Sequence, residues 1–276
     1  MMRARKAFLV SRNGPGNGLA EGNSMTLTLN VNDRLEKHFA GFAGQLSDLR
    51  DRYKTEHYIE IDPFVPEDLQ AAAHTELEAL FAANARRRDL IVAQSGNTPR
   101  RYSNIDRDAI HQDGGIIPAI YRAPALYELL ESIVGERVLP VPYTPEEYIA
   151  SRLHEPNDVH GWHWDDYTWA IVWVFKMPPA EHGGSLEYIK DAPWDRENPQ
   201  PEKLVAQGPV WTRHPGVGAA YLLKADTALH RVKPLSVADE RMIVCYSFAT
   251  EADLQRPVDH SSMAALYPES HARHED

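Results

Sequence analysis

Apolar residues change their spacing partway along the chain. Between Asn32 and about Tyr53, and again from Pro66 to about Arg88, they recur at intervals of three and four, as in Leu69, Ala73, Leu77, Leu80 and Phe81. That spacing puts them on one face of a helix, and Pro66-Glu67-Asp68 supplies a start. A further amphipathic stretch, Ala123 to Val134, ends at Gly135, which suits the left-handed cap of a helix. The intervening Asn97 to Gly115 is polar, rich in turn residues and carries Arg100-Arg101. Residues 30–135, roughly, therefore predict a helical layer.

From Tyr148 onward the pattern becomes short β-rich runs separated by Pro and Gly. The runs are Tyr148 to Leu153, Thr168 to Lys176, Ser185 to Ile189, Val210 to Arg213, Ala219 to Leu223, Leu229 to Lys233 and Arg241 to Ala249. Helices first and strands second, without β-α-β alternation, predict an α+β protein. Its core, over roughly 140–250, is expected to be a jelly-roll, that is a cupin-like double-stranded β-helix, buttressed by the N-terminal helices. The segment Asp191 to Gly208, with Pro193, Pro199 and Pro201, is too long and polar for a tight turn, and a lid over a site is expected there. Residues 1–24 carry basic residues and a Gly/Asn-rich run and read as a tail, or as an extension upstream of a second start at Met25. Residues 25–276 then form one domain, long enough to bury its own core.

Composition narrows the function. A formal charge of -11 disfavours a phosphate-binding surface, so no nucleic-acid partner is expected, and it suits a cationic small substrate. No apolar run approaches the roughly 20 residues of a membrane helix, so no membrane partner is expected either. The single cysteine, Cys245, rules out an internal disulfide or a CxxC motif and points to a core thiol in a cytoplasmic protein. A homodimer is compatible with all of this.

The chemistry concentrates in His160-Gly161-Trp162-His163-Trp164-Asp165-Asp166, read as the start of a strand. In an extended chain residues two apart share a face, so His163 and Asp165 can direct an imidazole and a carboxylate to one point. A facial triad for iron(II) needs one more imidazole from another strand, and His230 stands on one. Any of these alone is weak evidence among 13 histidines. A turn at Lys233 to Asp239 lets the His230 strand form a hairpin with the strand that begins at Arg241. A guanidinium there could hold the distal carboxylate of 2-oxoglutarate. The alternatives are a zinc hydrolase on a similar barrel, which leaves Arg241 unexplained, and a non-catalytic ligand-binding protein.

With these residues in view, the region Glu146 to Thr250 resembles the iron(II)/2-oxoglutarate dioxygenases. Within them, the run His160 to Asp166 and its spacing to His230 are similar to the free amino acid halogenases acting on lysine and their sister hydroxylases. The resemblance implies iron(II) on His163, Asp165 and His230, 2-oxoglutarate on Arg241, and O2 as co-substrate. Halogenases of that family carry Gly where Asp165 stands, which opens a position for chloride, so Asp165 implies hydroxylation. The resemblance also implies that Glu146, His160 and Asp166 line the substrate pocket, with Arg101 or Arg100 for the substrate carboxylate. Tyr148, two residues after Glu146, is expected on the same face, near 2-oxoglutarate. The expected substrate is a free amino acid, L-lysine first and C4 by analogy, against a peptidyl or carrier-bound residue as the alternative. Trp162, Trp164, Trp169 and Trp173 are expected mostly in the core.

Overall fold

The computed structural model describes residues 30–274, so the tail expected over 1–24 lies outside the described residues. The helical layer begins with α1, whose described part is 30–39, and α2 (Leu46–Glu56). A 3-10 turn at Ala40–Phe42 separates them where a single helix is predicted, because Gly41 and Gly44 weaken the helix there. Further helices are α3 (Glu67–Asn84), α4 (Arg107–Asp113), α5 (Ile116–Tyr121) and α6 (Pro124–Val134), and α6 ends on Gly135 at φ 80° as its sequence predicts.

The layer is not purely helical. Three strands, β1 (Tyr58–Ile61), β2 (Arg86–Val92) and β3 (Thr98–Ile105), arise inside it and join the sheet. Polar residues, Arg86 to Asp89 in β2 and Arg100, Arg101, Ser103 and Asn104 in β3, hide the alternation of these strands from a search for apolar periodicity. The remaining strands are β4 (Leu139–Pro140), β5 (Tyr148–Leu153), β6 (Val159–His163), β7 (Trp169–Lys176), β8 (Leu186–Ile189), β9 (Trp211–Arg213), β10 (Ala220–Lys224), β11 (Leu229–Val232) and β12 (Arg241–Ala249). Residues 191–208, expected as loop, contain the short helix α7 (Pro201–Gln207), and α8 (Glu251–Gln255), α9 (Ser261–Leu266) and α10 (Pro268–His271) close the chain.

All pairings are antiparallel, in the order β1-β10-β7-β12-β5-β3-β6-β11-β8-β9, with β2 on β3 and β4 on β12. The sheet folds over at β3, which pairs β5 through Ser103 to Ile105 and β6 through Arg100 and Arg101. This is the expected jelly-roll. The hairpin predicted between the strands of His230 and Arg241 does not form: β11 lies between β6 and β8, and β12 between β5 and β7. The chain after β11 crosses to the other wing instead of turning back on itself, and both residues still reach one cavity.

Alternation along the central strands sorts their side chains. On β7, Trp169, Ile171, Trp173 and Phe175 face the helices, while Ala170, Val172 and Val174 face the interior. Both faces are covered, which is why this run is apolar without interruption. Two of the tryptophans also tie helices to the sheet: Trp169 Nε1 donates to Tyr53 Oη at 2.8 Å and Trp173 Nε1 to Gln70 Oε1 at 2.7 Å. Trp162 and Trp164 are buried as well, in a smaller cluster with Ile189 and Leu229. On β12 the same alternation turns Arg241, Ile243, Cys245 and Ser247 inward. Cys245 thus packs on the inner apolar cluster and also lines the cavity, and burial pushes its thiol well above the usual range. Among the described residues no helix is long and apolar enough to cross a membrane.

Candidate metal centre and substrate cavity

Between the two wings lies a cavity with about 1030 Å³ of empty space including its mouth. Its centre is built where β6 and β11 pair, with His163 opposite His230 in register. Gly161 is required there, because a Cβ at that position would sit 2.7 Å from the Pro99 carbonyl oxygen. β6 ends at His163, so the motif closes a strand and does not open one. Asp165 lies in the following turn, held by its N–H to the Ala225 carbonyl at 3.1 Å.

The three side chains converge. His163 Nε2 and His230 Nε2 each lie 3.6 Å from Asp165 Oδ1, and all three ligand atoms fall within 4.8 Å of one another. Each ring has its Nδ1 on the carbonyl two residues earlier, His163 on Gly161 at 2.8 Å and His230 on Ala228 at 2.9 Å. A carbonyl only accepts, so Nδ1 carries the proton in both rings and Nε2 presents its lone pair to the common point. Burial holds His163 well below the usual histidine range, which keeps the ring neutral as a ligand must be. Burial also raises the Asp165 carboxyl, an expense that a divalent cation would offset. Two neutral imidazoles and one carboxylate fit a mononuclear iron(II) site with three open positions. His160 stacks on His163 with centroids 3.9 Å apart and planes 4° apart, and Tyr102 backs His160 at 5.0 Å. His160 therefore lines the cavity and braces the ligand ring.

Two buried guanidiniums face the same space, and among the described residues neither has a carboxylate partner. Arg241 is 2 % exposed; its Nη2 reaches Tyr221 Oη at 3.4 Å and its Nε has no partner. Arg100 is likewise 2 % exposed, donates to Thr98 Oγ1 at 2.9 Å and Ser95 Oγ at 3.2 Å, and leaves its Nε free. Burial pulls the Arg100 guanidinium down to about 10. An unpaired buried cation is costly, so both positions are suited to carboxylates brought in by ligands.

Arg101, by contrast, is exposed and lies 3.3 Å from Asp89 on the outside of the sheet. Alternation on β3 turns Arg100 and Tyr102 inward and Arg101 outward, so of the two arginines it is Arg100 that lines the cavity. Tyr148 also falls away from the site: Tyr148 and Ala150 pack on the helical layer, while Ile149 and Ser151 face the cavity. The reason is the 3-10 turn Thr144–Glu146, which breaks the two-residue phase assumed between Glu146 and Tyr148.

At the other side of the metal point, Glu146 and Asp166 line the cavity with His260 beside them. His260 Nδ1 is 3.1 Å from Glu146 Oε1, and its ring stacks on Tyr143 at 3.7 Å. Burial, with Asp166 and Asp165 nearby, pushes the Glu146 carboxyl well above the usual range. Asp166 pairs with Arg196 at 2.7 Å and accepts the Ser262 hydroxyl at 3.2 Å. Met263, Leu266 and Tyr267 of the C-terminal helices roof the cavity. This roof did not stand out in the sequence, since short helices after a last strand carry no motif, and Arg196 was not singled out within the segment 191–208.

A family model described as HalD, Halogenase D, matches residues 43–268, which is most of the chain. The chain belongs to the halogenase D family. No curated protein matches it in sequence. Among solved structures this halogenase D family member is similar to AviO1 from Streptomyces viridochromogenes Tue57, at 16% identity and a TM-score of 0.59 over 77% of this chain and 97% of that one. It is also similar to SnoN, a non-haem α-ketoglutarate-dependent epimerase from nogalamycin biosynthesis, at 15% identity and a TM-score of 0.55 over 75% and 81%. A prolyl hydroxylase from Trichoplax adhaerens gives 11% identity and a TM-score of 0.55 over 88% and 99%. The shared fold is that of the iron(II)/2-oxoglutarate oxygenases.

Proposed function

We propose that this protein hydroxylates an unactivated carbon of a free amino acid, L-lysine first and C4 by analogy, using iron(II), 2-oxoglutarate and O2. The observation that carries the reading is Asp165, a carboxylate 3.6 Å from both histidine Nε2 atoms, where halogenases of the resembling family carry Gly. His163, Asp165 and His230 hold the metal, and Arg241 anchors the distal carboxylate of 2-oxoglutarate. When bound, iron and 2-oxoglutarate supply the oxidising power, with succinate and CO2 as co-products.

The residues around them position the substrate. Arg100 takes the substrate carboxylate through its planar fork. Glu146 and Asp166 take the ammonium groups, and an ammonium beside Glu146 favours the charged form that burial otherwise disfavours there. His160 fixes the wall beside the metal, and Met263 and Leu266 exclude water from above. Holding the substrate at both ends fixes which C–H faces the metal, and that orientation is the protein's main contribution to rate.

The test is an O2-initiated assay of iron-loaded protein with 2-oxoglutarate, free lysine, ornithine, lysine amide and a lysyl peptide, following succinate and product mass together. A product one oxygen atom heavier is expected from free lysine and not from its amide. A product from the peptide alone would replace the free-acid reading with the peptidyl one.

A further inference from the structure

The carboxylate expected to receive the substrate's ammonium is already occupied. Asp166 is 4 % exposed, faces the cavity, and gives one carboxylate oxygen to Arg196 at 2.7 Å and the other to Ser262. Glu146 is engaged by His260. Among the described residues Arg196 is the one arginine or lysine in ion-pair contact with these two carboxylates, since the nearby Arg256 spends its charge on Asp253 and reaches only the Asp166 backbone carbonyl. The Arg196 guanidinium carbon also lies over the Trp194 ring, 3.8 Å from its centroid, and Trp194 stacks on Trp164 at 5.7 Å.

The segment carrying Arg196 is pinned on both sides of it. Upstream, the Ala192 N–H donates to Thr227 and the Ala192 carbonyl accepts Trp164 Nε1. Downstream, Pro199 and Pro201 pack against Gly96. Between these pins the Arg196 side chain is about one third exposed, so it can swing from Asp166 into water without loosening the fold. A ligand with no second ammonium needs only what the resting pocket offers, whereas a second ammonium must compete with Arg196 for Asp166.

We propose that Arg196 is a specificity-determining residue, an internal counter-ion of Asp166 that a cationic side chain displaces and a neutral one leaves in place. This deepens the amino acid reading and rests on it. Arg196 therefore sets a threshold against cationic substrates and couples their arrival to movement of the Trp194 side chain.

The experiment compares the full-length wild type with Arg196→Met and Arg196→Lys, measuring binding of L-lysine and of L-norleucine, which lacks the side-chain ammonium, by titration and tryptophan fluorescence. Because the displaced pair is partly solvated, Arg196→Met should tighten lysine binding by about three- to tenfold and leave norleucine within about twofold. Arg196→Lys should restore the weaker wild-type lysine binding. In the wild type, lysine and not norleucine should change the fluorescence. Lysine binding that is unchanged or weaker in Arg196→Met would overturn the proposal. If no amino acid is bound, the substrate reading fails separately, and the counter-ion is tested with n-butylammonium: tighter binding to Arg196→Met supports it, and equal binding overturns it.

Discussion

At the scale of single residues, the site sets its protonation states by what each side chain touches. The carbonyls of Gly161 and Ala228 fix the tautomers of His163 and His230, so both rings are ready for a cation before one arrives. Asp165→Ala removes the single anionic ligand, and turnover is expected to fall below detection, with loss of bound iron in a metal assay. Native-rate hydroxylation by that variant would show that the triad is misassigned. Arg241 is the complementary case, a buried cation with no carboxylate of its own. Arg241→Met should weaken 2-oxoglutarate binding by about two orders of magnitude, in line with roughly 2–5 kcal/mol for truncating a buried charge pair. It should not lower the melting temperature of the ligand-free protein, because an unpaired buried charge is replaced by an apolar chain of similar length. A large loss of stability with unchanged 2-oxoglutarate affinity would identify Arg241 as structural.

At the scale of elements, strand alternation decides which residues take part. The residues of the motif from His160 to Asp166 and the strand positions of His230 and Arg241 were legible, because β11 and β12 carry enough apolar residues to declare their phase; β6 was not, since Val159 and Trp162 do not alternate, and the motif expected to open a strand closes one. β2 and β3 do not declare their phase, and so Arg100 and Arg101 could not be told apart until β3 was seen as a strand. Tyr148 failed for a related reason, since one 3-10 turn shifts the phase of everything after it. The layer contacts follow the same logic. Trp173→Ala should cost about 3–5 kcal/mol in denaturant unfolding, through a cavity against α3 and an orphaned Gln70 Oε1. Asp158 pins the turn between β5 and β6. Burial alone would raise its carboxyl, but the Arg87 fork at 2.9 and 2.5 Å and the N–H groups of His154 and Glu155 outweigh this and hold it below the usual range. A depressed folded-state value means stability that is present above the unfolded value of about 3.9 and lost as pH falls through the folded one. The stability gap between wild type and Asp158→Asn should therefore be widest near neutral pH and shrink below about pH 4.

At the scale of the whole molecule, two wings of one folded sheet bring together residues far apart in the chain. Arg100 comes from the first half, the proposed metal ligands His163, Asp165 and His230 from the middle and end of the jelly-roll, and Met263 and Leu266 from the C-terminal helices. The sequence pattern yielded the class of fold and named His163, Asp165 and His230, whose ligand atoms converge. The segment 191–208 was singled out as a lid, but the part Arg196 plays in it, like the roof, stayed hidden because it depends on packing between distant segments. That segment and the C-terminal helices meet at Asp166, which Arg196 and Ser262 both touch. We propose that Asp165 commits this member of the halogenase D family to hydroxylation. The product mass spectrum from an O2-started reaction with iron, 2-oxoglutarate, lysine and excess chloride tests this. Succinate together with hydroxylated amino acid and no chlorinated product is expected, whereas chlorinated amino acid from the unaltered protein would overturn the role given to Asp165.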